Sequence, residues 1–163
     1  MANLELEIKL YQLIGPMLLS MAEDLSEEQL VEAWGEGNPP SWIIGHLSIA
    51  NEFGVASLGG EPELLEKWMP VFGPGSPPTG EHPNKAELVA MFERSSKRFL
   101  EAVKSASDEQ LSKDRESPIL KKELPKVVDM VGHLLTTHLA LHVGQLSGWR
   151  RANGMASILQ IPT

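Results

Sequence analysis

Cysteine is absent from this chain of 163 residues. That removes disulfides, zinc ribbons, protein-held iron–sulfur clusters and any protein thiol nucleophile. A metal would have to sit on imidazole, carboxylate or carbonyl groups, and thiol chemistry would need an external thiol. Basic side chains are also scarce: 14 Lys and Arg stand against 22 Asp and Glu, a formal charge of −8. Such a surface repels phosphate backbones, so no nucleic-acid partner is expected. Long hydrophobic runs are missing too, since the stretch from Trp42 to Ala50 is interrupted by Gly45 and His46, and no membrane span is expected. The first residues, Met-Ala-Asn-Leu-Glu-Leu-Glu-Ile-Lys, put acids where a secretory leader carries basic residues, and a cytoplasmic location is the expectation.

What is present is helical. Four long segments carry apolar residues at helical spacing, and none alternates with the period of a strand. The first covers about residues 3–22, with Leu6, Leu10, Leu13, Met17 and Met21 along one side and a kink expected at Gly15-Pro16. The second covers about residues 39–58, opened by Asn38 as N-cap with Pro39 in the first turn and stopped by Gly59-Gly60. The third, about 85–105, follows a capping box of Asn84 and Glu87. The fourth, about 123–152, is the longest and ends at Asn153-Gly154. This pattern predicts a single all-α domain over residues 1–163, a four-helix bundle.

The connections exceed the roughly two to eight residues that suffice in an up-and-down bundle, which allows a crossover topology. The longest runs from Gly60 to Asn84, and its residues 73–83 include three Gly and four Pro; residues 61–68 before them suit a short helix. Ser26-Glu-Glu-Gln-Leu30 and Ser107-Asp-Glu-Gln-Leu111 each fit a capping box. With Gly45-His46-Leu47 and Gly132-His133-Leu134 they form a faint internal echo, as a pseudo-twofold pair of hairpins would.

The five His carry the chemical information. His138 and His142 lie one helical turn apart on one face, a spacing at which one divalent ion bridges both rings. That face continues through Val131, Leu134, Leu141 and Trp149 and should point into the bundle. Two readings stand side by side: metal ligands, or core imidazoles that each hold their own hydrogen-bond partner. Gln145 shares the face and is the candidate catalytic residue, able to orient a water on the metal or to bond a ligand His. The best candidate for a third ligand is His46, on a stripe with Trp42, Ile49, Ala50 and Phe53. His133 would lie about 140° from His138 and about 180° from His142 in a regular helix, so it shares their metal only if the helix is distorted. His82 reads as a solvated loop residue that a mobile loop would have to carry to the site, and Glu52 as a surface ion pair or a distant support.

Ser41-Trp42-Ile43-Ile44-Gly45-His46-Leu47 resembles the helix-two motif of the DinB/YfiT-like superfamily, in which a Trp precedes the first metal His by four. His138-Leu-Ala-Leu-His142-Val-Gly144-Gln145-Leu146, followed by Arg150 or Arg151 and Gly154, looks like that family's helix-four signature. The resemblance implies a four-helix bundle with His46, His138 and His142 binding nickel, zinc or a similar divalent ion, iron and cobalt included. Relatives of that kind include thiol S-transferases using bacillithiol or mycothiol, a mycothiol-dependent maleylpyruvate isomerase, and members of no known activity. They often carry another His one turn before the paired His, where this chain has Leu134, with His133 displaced by one.

The leading expectation is a metal-dependent enzyme acting on a small-molecule substrate. It would be a thiol S-transferase using a low-molecular-weight thiol as co-substrate, or a hydrolase. A non-catalytic metal- or ligand-binding helical bundle is the alternative, and purely structural His residues a third. Association into a homodimer through an exposed helix face stays open.

Overall fold

The computed structural model describes residues 4–77 and 82–158. Side-chain caps decide where several helices begin. Ser26 opens α2 (Glu27–Leu30), Asn84 opens α5 (Lys85–Ser105) and Ser107 opens α6 (Asp108–Ser112), each with the reciprocal bonds of a capping box. At α5, Glu87 N donates to Asn84 Oδ1 at 3.0 Å and Asn84 N donates to Glu87 Oε2 at 3.1 Å, so two otherwise unpaired backbone donors are satisfied. The other helices are α1 (Glu5–Glu23), α3 (Pro40–Ser57), α4 (Leu65–Phe72), α7 (Val127–His133) and α8 (Leu139–Ala152), with a π-helical turn over Leu134–His138 between the last two. The fold is all-α, as expected, and no strand occurs among the described residues. None of these helices is long and apolar enough to cross a membrane.

The long helices pack in a ring: α3 lies against α5 and α8, and α1 lies against α8 and α5. Consecutive long helices α1 and α3 therefore sit across the diagonal, which is a crossover arrangement and explains why the connections are long. Helix α3 is the central element, with 14 of its 18 residues buried. Glycine makes this possible at two points. A Cβ on Gly45 would lie 2.5–2.6 Å from the Phe72 ring, and one on Gly54 would stand under 3 Å from the Phe99 ring. Each missing side chain lets a neighbouring aromatic ring rest on the α3 backbone. Across the core, the Tyr11 hydroxyl of α1 donates to Asn51 Oδ1 of α3 at 2.9 Å and stands 2.8 Å from Ser96 Oγ of α5.

Several expectations need correction. Leu6 and Leu13 of the stripe foreseen on the first helix are 64% and 65% exposed, while Leu4, Tyr11, Gly15, Leu18 and Ala22 face inward. Spacing alone permits either face; the Tyr11 network selects this one, because a buried phenol needs partners. The helix runs through Gly15-Pro16 without a break, which agrees with the expectation there. Pro39 rather than Asn38 caps α3, with Pro40 as the first helical residue. The short helix foreseen over 61–68 forms four residues later as α4, because residues 61–63 are tied to other helices. Glu63 N donates to Glu52 Oε2 at 2.7 Å, and Arg98 donates to the Glu61 carbonyl at 2.6 Å. Glu52 is thus in an ion pair with Arg98, but a buried one, 1% exposed. The last long helix starts at Val127, not 123, and its π turn was not foreseen.

Candidate metal centre

His46 comes from the middle of α3, His138 closes the π turn, and His142 lies in the first turns of α8. One ring nitrogen of each lies within 4.8 Å of the others. The three residues singled out by spacing do converge, and among the described residues no carboxylate joins their cluster.

The surroundings set which nitrogen each ring offers. His46 Nδ1 is 2.7 Å from the Phe72 carbonyl oxygen, an acceptor only, so Nδ1 carries the proton and Nε2 keeps its lone pair. His142 Nδ1 is 2.8 Å from Gln145 Oε1, and the same reasoning leaves its Nε2 free. His46 Nε2 and His138 Nε2 stand 3.2 Å apart. Two nitrogens each about 2.0–2.1 Å from one tetrahedral ion would be about 3.3 Å apart, so this spacing suits a shared metal. His138 Nδ1 is buried without a hydrogen-bond partner, a cost that is the same with or without a metal on Nε2. The donor set fits a divalent ion that prefers imidazole.

Burial keeps these rings neutral. It pushes the His138 pKa down to about 3, helped by repulsion from His142 and His46, and the His142 pKa down to about 4. His46 is lowered as well, chiefly by burial. Neutral imidazole is the form a metal needs.

Trp42 shows why a Trp belongs four residues before His46. Its ring stacks on the imidazole with centroids 4.5 Å apart and planes 7° apart. Its Nε1 donates to Ser76 Oγ at 2.9 Å, and Ser76 in turn donates to the carbonyls of Val71 and Gly73. The connection after α4 thereby becomes a wall of the site, and α4 itself ends on Phe72, whose carbonyl bonds His46. The part of that loop at 78–81 lies outside the described residues. His82 bonds the Pro83 carbonyl and lines a different cavity, beside Glu63 and Arg94. Gln145 acts on His142 and is not among the residues lining the His cavity.

His133 is the departure from sequence reasoning. Its ring lies 5.4 Å from that of His138, and it lines the same cavity as the three candidate ligands. The π turn accommodates one extra residue and turns His133 back toward His138 by about 100°. His133 still stands outside the ligand cluster, with Nδ1 2.6 Å from Thr137 Oγ1. The same shift carries Leu141, foreseen as inward, to the surface, 59% exposed, and aligns Leu134 with His142 instead. Thr136 Oγ1 donates to the Gly132 carbonyl at 2.6 Å, supplying a partner where the α-helical ladder is interrupted.

A sequence model of the DinB superfamily matches residues 12–146. The chain belongs to the DinB superfamily. The match spans α1 through most of α8 and includes all three candidate ligands of this DinB domain. No curated protein matches the chain.

Proposed function

We propose that this DinB-superfamily protein is a metal-dependent enzyme that holds a divalent ion, nickel or zinc before iron or cobalt, on His46, His138 and His142. The supporting observation is the open side of the triad. Three imidazoles converge, no carboxylate among the described residues stands in the cluster, and a cavity of about 360 Å³ lies against the same rings. A carboxylate closing the site would have favoured a non-catalytic metal-binding module. When bound, such an ion supplies Lewis acidity that makes an oxygen or sulfur nucleophile available at neutral pH.

The chain's own residues then divide the remaining work. The Phe72 carbonyl and Gln145 fix the ring orientations of His46 and His142. Trp42 covers one face of His46. His133 is, among the described residues, the one further titratable side chain lining the cavity, in position to hold or move a proton there. Without cysteine, an S-transferase must take its thiol from a small-molecule co-substrate; with water as acceptor the same centre is a hydrolase. The acid excess disfavours nucleic acid as substrate, and the protein is placed in the cytoplasm. Leu6 and Leu13, exposed together on α1, are the surface on which a homodimer would form.

Elemental analysis of untagged protein after loading with nickel or zinc tests the site. One ion per chain is expected, with strong loss in His138→Ala and His142→Ala. No stoichiometric metal under any loading condition would remove the proposal. Loaded protein that neither transfers small thiols to electrophiles nor hydrolyses esters would leave only the binding module.

A further inference from the structure

The cavity beside the triad is unlike the others in its chemistry. Among the described residues its lining contains no Asp, Glu, Lys or Arg, whereas the two larger cavities are lined by charged groups such as Glu63 and Arg94 or Lys113 and Asp114. Apart from the imidazoles and the Trp42 indole nitrogen, which is already bonded to Ser76, its walls are hydrocarbon or thioether, Phe53 and Met130 among them. At about 360 Å³ it falls near the lower end of small-molecule sites, roughly 300–1,000 Å³.

Its mouth is built from side chains that ordinarily avoid water. Met69 of α4 and Ile119 and Leu120 of the connection before α7 all line the cavity, yet they are 37%, 48% and 45% exposed. The Ile119–Leu120 pair is held by a buried arginine. Arg115, 4% exposed, donates to the Ile119 carbonyl at 2.6 Å and to the Leu124 carbonyl at 2.7 Å. Its guanidinium is thus bonded to the backbone of this strap, and its charge also reaches Asp129 and His133. Leu124 N closes the strap on the Leu120 carbonyl at 2.8 Å. Leu120 itself has φ +52°, the left-handed region that a branched side chain normally leaves to glycine. A strained leucine kept at the entrance of a candidate site points to a use for its side chain.

We infer that the substrate enters this site with an uncharged, hydrophobic body, and that Ile119, Leu120 and Met69 select for it, with Arg115 as the residue that positions the strap. This rests on the enzymatic reading of the metal centre and names its substrate class. A neutral alkyl or aryl group loses nothing on entering such walls, while a carboxylate, sulfonate or phosphate lying against them, away from the metal position, would be desolvated with no charged side chain of the lining to receive it. A thiol co-substrate bearing carboxylates must keep them outside the mouth.

The test uses a matched pair of fluorescent probes, neutral N-phenylnaphthylamine and its sulfonated form, anilinonaphthalene sulfonate. Both are titrated into metal-free protein at high salt to screen the net charge of −8. The neutral probe is expected to bind at least about tenfold tighter. Met69→Lys, on α4 rather than on the strap, should narrow that ratio by about tenfold or invert it. Leu120→Gly suits the backbone and should keep or raise the thermal midpoint while weakening the neutral probe several-fold. Equal affinity of the two probes, or a ratio unmoved by both variants, would overturn the inference. Metal content measured on the same preparations separates the two readings. Selective binding in a protein that takes up no metal removes the metal centre and leaves the apolar site. Stoichiometric metal with no selectivity does the reverse.

Discussion

Replacing helical glycines with alanine should split them into two groups of opposite sign. Gly132 in α7 and Gly144 in α8 have nothing within 4 Å of where a Cβ would stand. There alanine should stabilise by about 0.5–1 kcal/mol, because glycine is entropically costly inside a helix. At Gly45 the new methyl would lie 2.5–2.6 Å from three ring carbons of Phe72. Ordinary carbon contacts are about 3.5–4.0 Å, so the ring has to retreat by about 1 Å. Phe72 is 1% exposed and has no room to do so. An overpacking cost of about 2–3 kcal/mol, less the propensity gain, leaves a net loss of about 1–2 kcal/mol. Gly54, facing the buried Phe99 ring, should lose a similar amount. Urea unfolding at unchanged m-values reads these differences. Metal affinity then separates the two destabilised variants. Moving Phe72 also moves the carbonyl that bonds His46 Nδ1, and losing such a partner typically costs about 10–100-fold in affinity. Gly45→Ala should show that loss, and Gly54→Ala should bind like the wild type. If all four substitutions shift stability in one direction, the close approaches are wrong. If Gly45→Ala is destabilised but binds metal normally, the Phe72 carbonyl does not orient His46.

Metal removal should lower the thermal midpoint without abolishing the cooperative transition, since the buried core extends far beyond the triad. A free metal concentration about 1,000 times Kd stabilises by about 4 kcal/mol, which is about 8–16 °C for a domain of this size; unfolding on chelation at neutral pH would show that metal, not the core, holds the fold. In metal-free protein, His138 and His142 have pKa values near 3 and 4 against 6.5 for a free imidazole. The unfolded chain therefore binds more protons between those limits. Stability is full above about pH 6.5 and falls as the pH drops toward 4. Urea unfolding of His138→Phe should show a shallower fall over that range, and an unchanged slope would mean these rings do not stay neutral in the folded state.

The parts of this structure that were legible in the sequence are those set by short spacings. The capping boxes at Ser26, Asn84 and Ser107 form as written, because each is a bond between residues three apart and needs nothing from the rest of the molecule. The convergence of His46, His138 and His142 was readable because each ring lies on a stripe that has to face the same core. The inward face of α1 was not, since Leu6 and Leu13 satisfy helical spacing as well as Leu4, Tyr11 and Leu18 do. What decides is a bond from Tyr11 to Asn51, forty positions away. The partners that orient the His rings divide the same way. Gln145 is three residues from His142 and was found, whereas the Phe72 carbonyl is backbone on another helix and left no trace in the pattern.

The π turn is the instructive failure. A regular helix from 123 to 152 would set His133 opposite His142 and bury Leu141. Val131 and Leu134 were assigned correctly, but carrying their stripe across the turn put Leu141 on the same face as His142 and Trp149, and of these only Leu141 is exposed. Val131 and Leu134 are buried on one side of the phase slip, and Leu139, His142, Val143 and Leu146 on the other. With Met130 also buried before the slip, no single stripe of period 3.6 passes through both sets and leaves Leu141 outside. That break, together with the Thr136-Thr137 pair whose hydroxyls return to the carbonyls of Gly132 and His133, was the available signal. The distortion ends at His138, a candidate ligand, which is where such turns gather. It brings two things to one cavity that an undistorted helix would separate: a third imidazole for the metal set and a fourth, His133, beside it. The helix gives up regular hydrogen bonding over one turn, and the threonine hydroxyls offset part of that loss.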